Sequence, residues 1–219
     1  MIPFTVDQFL NVFEQYNIAV WPAQVFLYTI GIVAICLTLS RKNDFSRGVS
    51  LILSLFWTWM GLAYHLWFFS AINRSALGFA ALFVLQGILF FIAGILKRQL
   101  TFSFSSNLYG IVGGVFLVYA LILYPTFGYW LGHRYPAAPT FGLPCPTTIF
   151  TFGMLLWTSR RVPFYVLAIP LAWSFIGVWA AILIGMIEDF GLLVAGLLGS
   201  MLIIFRDTSI PQLSAKPTR

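Results

Sequence analysis

Charge is what this 219-residue chain has least of: 8% of its residues are Asp, Glu, Lys or Arg, where a soluble domain carries roughly 25%. So little polar surface cannot face water on all sides, which excludes an ordinary soluble enzyme or binding module. Cysteine is nearly missing as well. Cys36 lies inside one apolar run and Cys145 near the start of another, and two thiols cannot build the disulfide framework of a small secreted domain. Only two histidines occur, His65 and His133, and there is no Cys-x-x-Cys or His-x-x-x-His, so no spacing enforces a metal site. No catalytic motif of high specificity is present, no residue is assigned a catalytic role, and nothing points to a cofactor. A net charge of +6 would suit nucleic acid if the basic residues shared one surface. They sit instead in short clusters between apolar runs, which argues against nucleic acid and for a topology signal. The N-terminus lacks a basic n-region and no small-residue cleavage site follows the first apolar run, so that run is expected to stay in the mature protein.

What the chain has is hydrophobic length: 60% of it is apolar or aromatic. A membrane helix needs about 20 mainly apolar residues, and seven stretches meet or approach this: 20–39, 49–71, 77–96, 108–125 (extendable to 131), 141–158, 162–186 and 187–205. The expected fold is all-α, a polytopic membrane helix bundle of seven transmembrane helices forming one domain over 1–205. The polar, proline-containing stretch 206–219 is expected to be a disordered cytoplasmic tail. The fifth and seventh spans are the weakest, the fifth opening on Leu143-Pro144-Cys145-Pro146 and the seventh parted from the sixth only by Glu188-Asp189. With seven spans, ten of the twelve Lys and Arg residues fall on one side, leaving Arg74 and Arg134 opposite. Cytoplasmic loops carry the Lys/Arg excess, so the N-terminus is expected outside and the C-terminus inside. Thr5-Val6-Asp7-Gln8 resembles a capping box, and Phe9, Val12, Phe13 and Tyr16 follow at helical spacing. That predicts a short interfacial helix over 5–18 on the outer surface, with Trp21 as its anchor; an extension of the first span is the competing reading.

An internal repeat is also legible. Pro22 to Lys42 (PAQVFLYTIGIVAICLTLSRK) resembles Pro144 to Arg161 (PCPTTIFTFGMLLWTSRR), each with Thr-x-Gly in mid-span and Ser before two basic residues. Leu55 to Gly61 likewise resembles Leu171 to Gly177. This is a 3+1+3 parallel layout, with span four as linker. Parallel repeats occur in transporters whose substrate site lies between them. The layout is similar to that of the SWEET and PQ-loop transporters, although no span carries the Pro-Gln dipeptide of the latter. Resemblance among apolar helices arises easily, so coincidence remains the rival reading.

Polar groups at membrane depth default to functional hypotheses. His65, in span two, is either a proton, metal or solute contact or a neutral histidine hydrogen-bonded between helices. Gln86, in mid-span three, either lines a cavity or bonds across an interface. The outer loop runs from Tyr124 through His133, Arg134, Cys145, Thr147 and Thr148. Its five prolines suit either a ligand platform or a packed cap. Glu188 and Asp189 form either a cation-attracting pair or a plain acidic turn. Trp21, Trp67, Trp130 and Trp157 lie near span ends as interfacial belts require, whereas Trp57, Trp59, Trp173 and Trp179 lie deeper.

The string GHRYPAAPTFGLPCPTTIFTFGMLL, with WPAQ, YHLWFFSAIN and the ED turn, resembles a bacterial family known only as a domain of unknown function. The resemblance runs from about residue 3 to 205. Members are sometimes loosely labelled permeases, which implies a bacterial inner-membrane location but brings no established substrate, mechanism or site residue; the partners expected from the chain itself are the lipid bilayer and a small solute or cation. Three functions stay open: a permease-like protein with an outward-facing polar cavity, a metal-handling protein or enzyme using His65, His133, Cys145, Glu188 and Asp189, and a non-catalytic partner or sensor subunit. A retinal-binding receptor is excluded, since span seven has no lysine for the Schiff base.

Overall fold

The computed structural model describes residues 3–40, 42 and 45–209. Helices account for about three quarters of the described residues, and among them strand pairing is limited to isolated bridges. Helix α1 (Val6–Ala19) begins with the capping box: Thr5 N–H donates to Gln8 Oε1 (2.8 Å), and Gln8 N–H donates to Thr5 Oγ1 (3.2 Å). Its stripe of Val12, Phe13 and Tyr16 is buried. The chain then turns by 84° into α2 (Ala23–Leu39), so α1 lies across the end of the bundle.

The remaining helices are α3 (Ser46–Ala71), α4 (Ala76–Leu96), α5 (Leu108–Trp130), α6 (Pro144–Leu156), α7 (Phe164–Ile184) and α8 (Ile187–Ser209). Five of them (α3, α4, α5, α7 and α8) are long and apolar enough to cross a membrane, and α1 with α2 makes a sixth if taken as one bent span. At 1.5 Å per residue the shortest of the five reach about 31 Å, the thickness of a hydrocarbon core. α6 differs. It has 13 residues, about 20 Å, and all but Cys145 are buried.

α6 is the axis of the molecule. Phe150 and Phe141 meet Phe56 of α3, Trp57 Nε1–H donates to Thr151 Oγ1 (3.1 Å), and α5, α7 and α8 complete the surround. α5 approaches closely because Gly113 and Gly153 face each other: a Cβ on either would lie 2.9 Å from the other's carbonyl oxygen. The non-helical leads to α6, Phe141–Leu143 and Trp157–Thr158, are buried too, the condition under which irregular backbone is tolerated at membrane depth. The exterior is apolar: Phe26, Ile111, Ile122, Phe164 and Met201 are exposed, a surface that lipid solvates and water does not.

Several sequence expectations change in detail. The fifth apolar stretch is helical only over Pro144–Leu156, because Pro144 and Pro146 force an extended approach and fit only the first helical turn. The last helix continues to Ser209, past the expected end at 205; Arg206 secures this turn by donating to Asp207 and to the carbonyl of Thr158. The rest of the expected tail lies outside the described residues, as do Arg41, Lys216 and Arg219. The halves of the proposed repeat occupy different environments. Thr29 on α2 is exposed and bonds to its own helix, while its counterpart Thr151 is buried in the central helix against Trp57. Trp157 is buried, donating to Gly110 O (2.8 Å). Trp21, Trp67 and Trp130 are exposed at helix ends, where interfacial tryptophans belong.

Candidate functional site

The ends of the helices alternate, so the bundle has two distinct poles. One carries α1, the 131–143 loop and the α7–α8 turn. The other carries Lys42, Arg47, Lys97, Arg98, Arg160, Arg161 and Arg206.

At the first pole the two acidic residues that follow the α7–α8 turn are buried. Glu188 is 2% exposed and Asp189 6%, so neither is a plain solvated acidic residue. His133 Nδ1 lies 2.7 Å from Glu188 Oε1, Tyr119 Oη donates to the Glu188 carbonyl (2.7 Å), and Tyr124 Oη donates to Asp189 Oδ1 (2.6 Å). Cys145 lines the same corner as Asp189 and Tyr124. Both tyrosines come from a π-helical stretch of α5, Tyr119–Leu123, and the residue after it; these wider turns rotate them onto the acidic turn. Gly191 leaves room for this, since a Cβ there would sit 2.3 Å from the Tyr119 ring.

Beside this corner is a cavity of about 250 Å³ whose walls include Tyr64, His65, Tyr124, Cys145, Trp173 and Asp189, closed on one side by Phe4, Phe9 and Phe13 of the α1 segment. His65 is fully buried, and neither ring nitrogen has a hydrogen-bond partner in the protein. Its neighbours are rings: Phe83 at 4.6 Å between centroids, Tyr64 and Trp173 at 5.2 Å, and Phe79 at 5.7 Å. Another π-helical segment, Met60–Leu66 of α3, presents it there. Trp173 Nε1 is likewise buried without a partner. The cavity is therefore mostly apolar and aromatic, with unpaired polar atoms on one wall and a carboxyl–phenol–thiol corner on another.

Of the sequence candidates, His65, Tyr124, Cys145 and Asp189 meet at this cavity, and Glu188 and His133 pair immediately behind it. The others lie elsewhere. Gln86 donates to the Val166 carbonyl (2.8 Å) across the α4–α7 interface. Thr147 accepts from Gly142 N–H (3.0 Å) at the α6 entry. Arg134 is exposed and stacks over Tyr129, 4.9 Å from its ring centroid. Among the described residues no three His, Cys, Asp or Glu side chains gather as a metal would need. Asn17 had no sequence signal. Its amide donates to the carbonyls of Pro136 and Ala138 (both 2.7 Å), and its Oδ1 accepts from Thr140 (2.8 Å). It thereby ties the proline-rich loop to α1. The carbonyls its amide nitrogen meets lie 119 and 121 residues away, so no local pattern marks the position.

No curated protein and no solved structure matches the chain. A family model described as a family of unknown function does, over residues 6–214, a stretch holding the polar corner, His65 and the loop string; the chain belongs to this family, DUF6064.

Proposed function

We propose that the protein is a permease-like membrane protein that crosses the bilayer seven times, with its basic pole in the cytoplasm, and binds a small, largely apolar solute in the His65 cavity. One observation carries the solute-binding reading: a completely buried imidazole with both nitrogens unpaired, in the wall of a cavity. Buried polar groups in native proteins are nearly always hydrogen-bonded, and an orphan calls for an explanation. A solute with one donor or acceptor group supplies it, its apolar body resting on Phe79, Trp173 and the α1 phenylalanines. The volume lies just below the roughly 300–1,000 Å³ of sites for drug-sized ligands, which favours a smaller molecule. Asp189, Tyr124 and Cys145 offer a second polar contact, suited to a donor such as an amine or alcohol.

Trp173 gives the test a reporter. Protein in nanodiscs is titrated with a panel of small aromatic and aliphatic amines, alcohols and acids, and tryptophan fluorescence is followed. Saturable quenching by a subset is expected, weakened about tenfold in His65→Phe, which keeps a ring but removes the nitrogens. A panel without effect, or a His65→Phe variant that binds as the wild type does, overturns the reading. Compounds that bind are then followed into proteoliposomes. Binding without flux identifies a sensor-type receptor using the same cavity.

A further inference from the structure

At the basic pole three loops converge on a second pocket, of about 440 Å³, lined by Ser46, Arg47, Gly94, Arg98, Thr101 and Arg160 along with Leu100. The three arginines come from three places in the chain: the first turn of α3, the exit of α4 and the exit of α6. Backbone stitching brings them together. Phe102 N–H donates to Ser46 Oγ (3.0 Å), Ser103 N–H to the Trp157 carbonyl (2.7 Å) and Ser159 N–H to the Thr101 carbonyl (2.8 Å). Among the described residues none of the three guanidinium groups has a hydrogen bond or ion pair. The described carboxylate at this pole, Asp207, is already taken by Arg206 and by the Val162 N–H. Among the described residues the pocket is thus positive, with no anion to neutralise it.

Two local features go beyond loose surface charge. The first turn of α3 lies in the pocket wall with no side-chain cap, so the positive end of its dipole adds to the field. Arg98 has φ +51°, the only non-glycine residue with positive φ among the described residues. The left-handed region disfavours a residue with a Cβ, and helix exits that need it ordinarily use Gly. A residue held in a disfavoured conformation persists only where its surroundings impose it, and such positions cluster at binding sites. The α4 exit directs this arginine into the pocket with the other two.

We propose that this pocket binds a phosphate-bearing anion, either the headgroup of an anionic phospholipid or a free phosphate compound. Guanidinium forks match phosphate oxygens in bidentate fashion, and a basic pocket between membrane helices on the cytoplasmic side suits anionic headgroups. The site is separate from the His65 cavity and does not depend on the solute-binding reading.

The test uses full-length protein delipidated in a neutral detergent, with three probes: inorganic phosphate, phosphatidylglycerol and phosphatidylcholine. Native mass spectrometry reads lipid binding, and calorimetry reads phosphate. Phosphatidylglycerol bound in preference to phosphatidylcholine, and not displaced by phosphate, identifies a headgroup site. Binding of inorganic phosphate without that lipid preference identifies a free-phosphate site. In either case binding weakens with salt and falls about fivefold for each arginine removed. Arg98→Gly is the discriminating variant: glycine suits the backbone there, so the protein should melt at or above the wild-type temperature while affinity drops. The Arg47→Gln/Arg160→Gln variant should add to the loss. The proposal is overturned if neither phosphate nor phosphatidylglycerol outbinds phosphatidylcholine, or if Arg98→Gly and the double variant bind like the wild type.

Discussion

A buried imidazole that nothing in the protein satisfies should cost stability, of order 1–3 kcal/mol for an unmade hydrogen bond. His65→Phe removes that cost while retaining the ring packing against Phe83 and Trp173. The expected result in a thermal melt without solute is a midpoint equal to or above that of the wild type, although the solute response is lost. A clear drop would mean that His65 is a satisfied structural residue. Glu188 is the opposite case, because its Oε1 depends on His133. Removing the partner of a fully buried group typically costs about 1–3 kcal/mol, chiefly by stranding that group. His133→Ala should therefore destabilise by about this much, and adding Glu188→Gln should recover part of the loss in denaturation midpoint. Additive losses would show that the two do not act as a pair. Sequence reasoning singled out His65 and Gln86 alike, as polar residues in apolar runs. What separates them is the Val166 carbonyl that Gln86 finds on α7, a partner 80 residues away that no local pattern reveals.

At the scale of elements, most helices were legible because length, hydropathy and flanking charge mark a span without reference to its neighbours. The capping box at Thr5 and Gln8 was legible for the same reason, since it is a local hydrogen-bond exchange. The limits of α6 were not. Hydropathy cannot distinguish a lipid-facing span from a short helix sheathed by other helices, and both read as apolar. Nor were the π-helical turns at Met60–Leu66, Phe91–Leu96 and Tyr119–Leu123. These segments set the faces presented by His65 and Tyr124 and lead the chain to Arg98, so both pockets depend on geometry with no residue signature. α1 supplies a more direct test. Thr5→Ala removes the N-cap, a change worth about 1 kcal/mol. Hydrogen exchange should speed up in the first turns of α1 and leave α6 unaffected. Because α1 closes one side of the His65 cavity, solute affinity should weaken along with it. Unchanged exchange in α1 would show that its packing on Tyr64 and Phe69, not the cap, holds it in place.

For the whole molecule, the proposed orientation and the proposed phosphate site place two demands on the same arginines, and these can be separated. Orientation depends on the number of positive charges near the span ends, for which lysine serves as well as arginine. Phosphate recognition depends on the planar guanidinium fork, which an ammonium does not reproduce. Replacing Arg47, Arg98 and Arg160 together by lysine therefore keeps the charge asymmetry and alters only the chemistry of the pocket. In cells, a cysteine placed at Arg74 should react with a membrane-impermeant thiol reagent applied from outside, and one placed at Lys97 only after permeabilisation. Both labels are run in a background where Cys36 and Cys145 are serine, and both patterns should survive the triple lysine change. Anionic probe binding in the purified triple variant should fall, because lysine contacts phosphate as a point charge. Reversed labelling would invert the proposed orientation. Preserved labelling with undiminished probe binding would reduce the three arginines to a topology device, leaving the left-handed conformation of Arg98 without a functional reason.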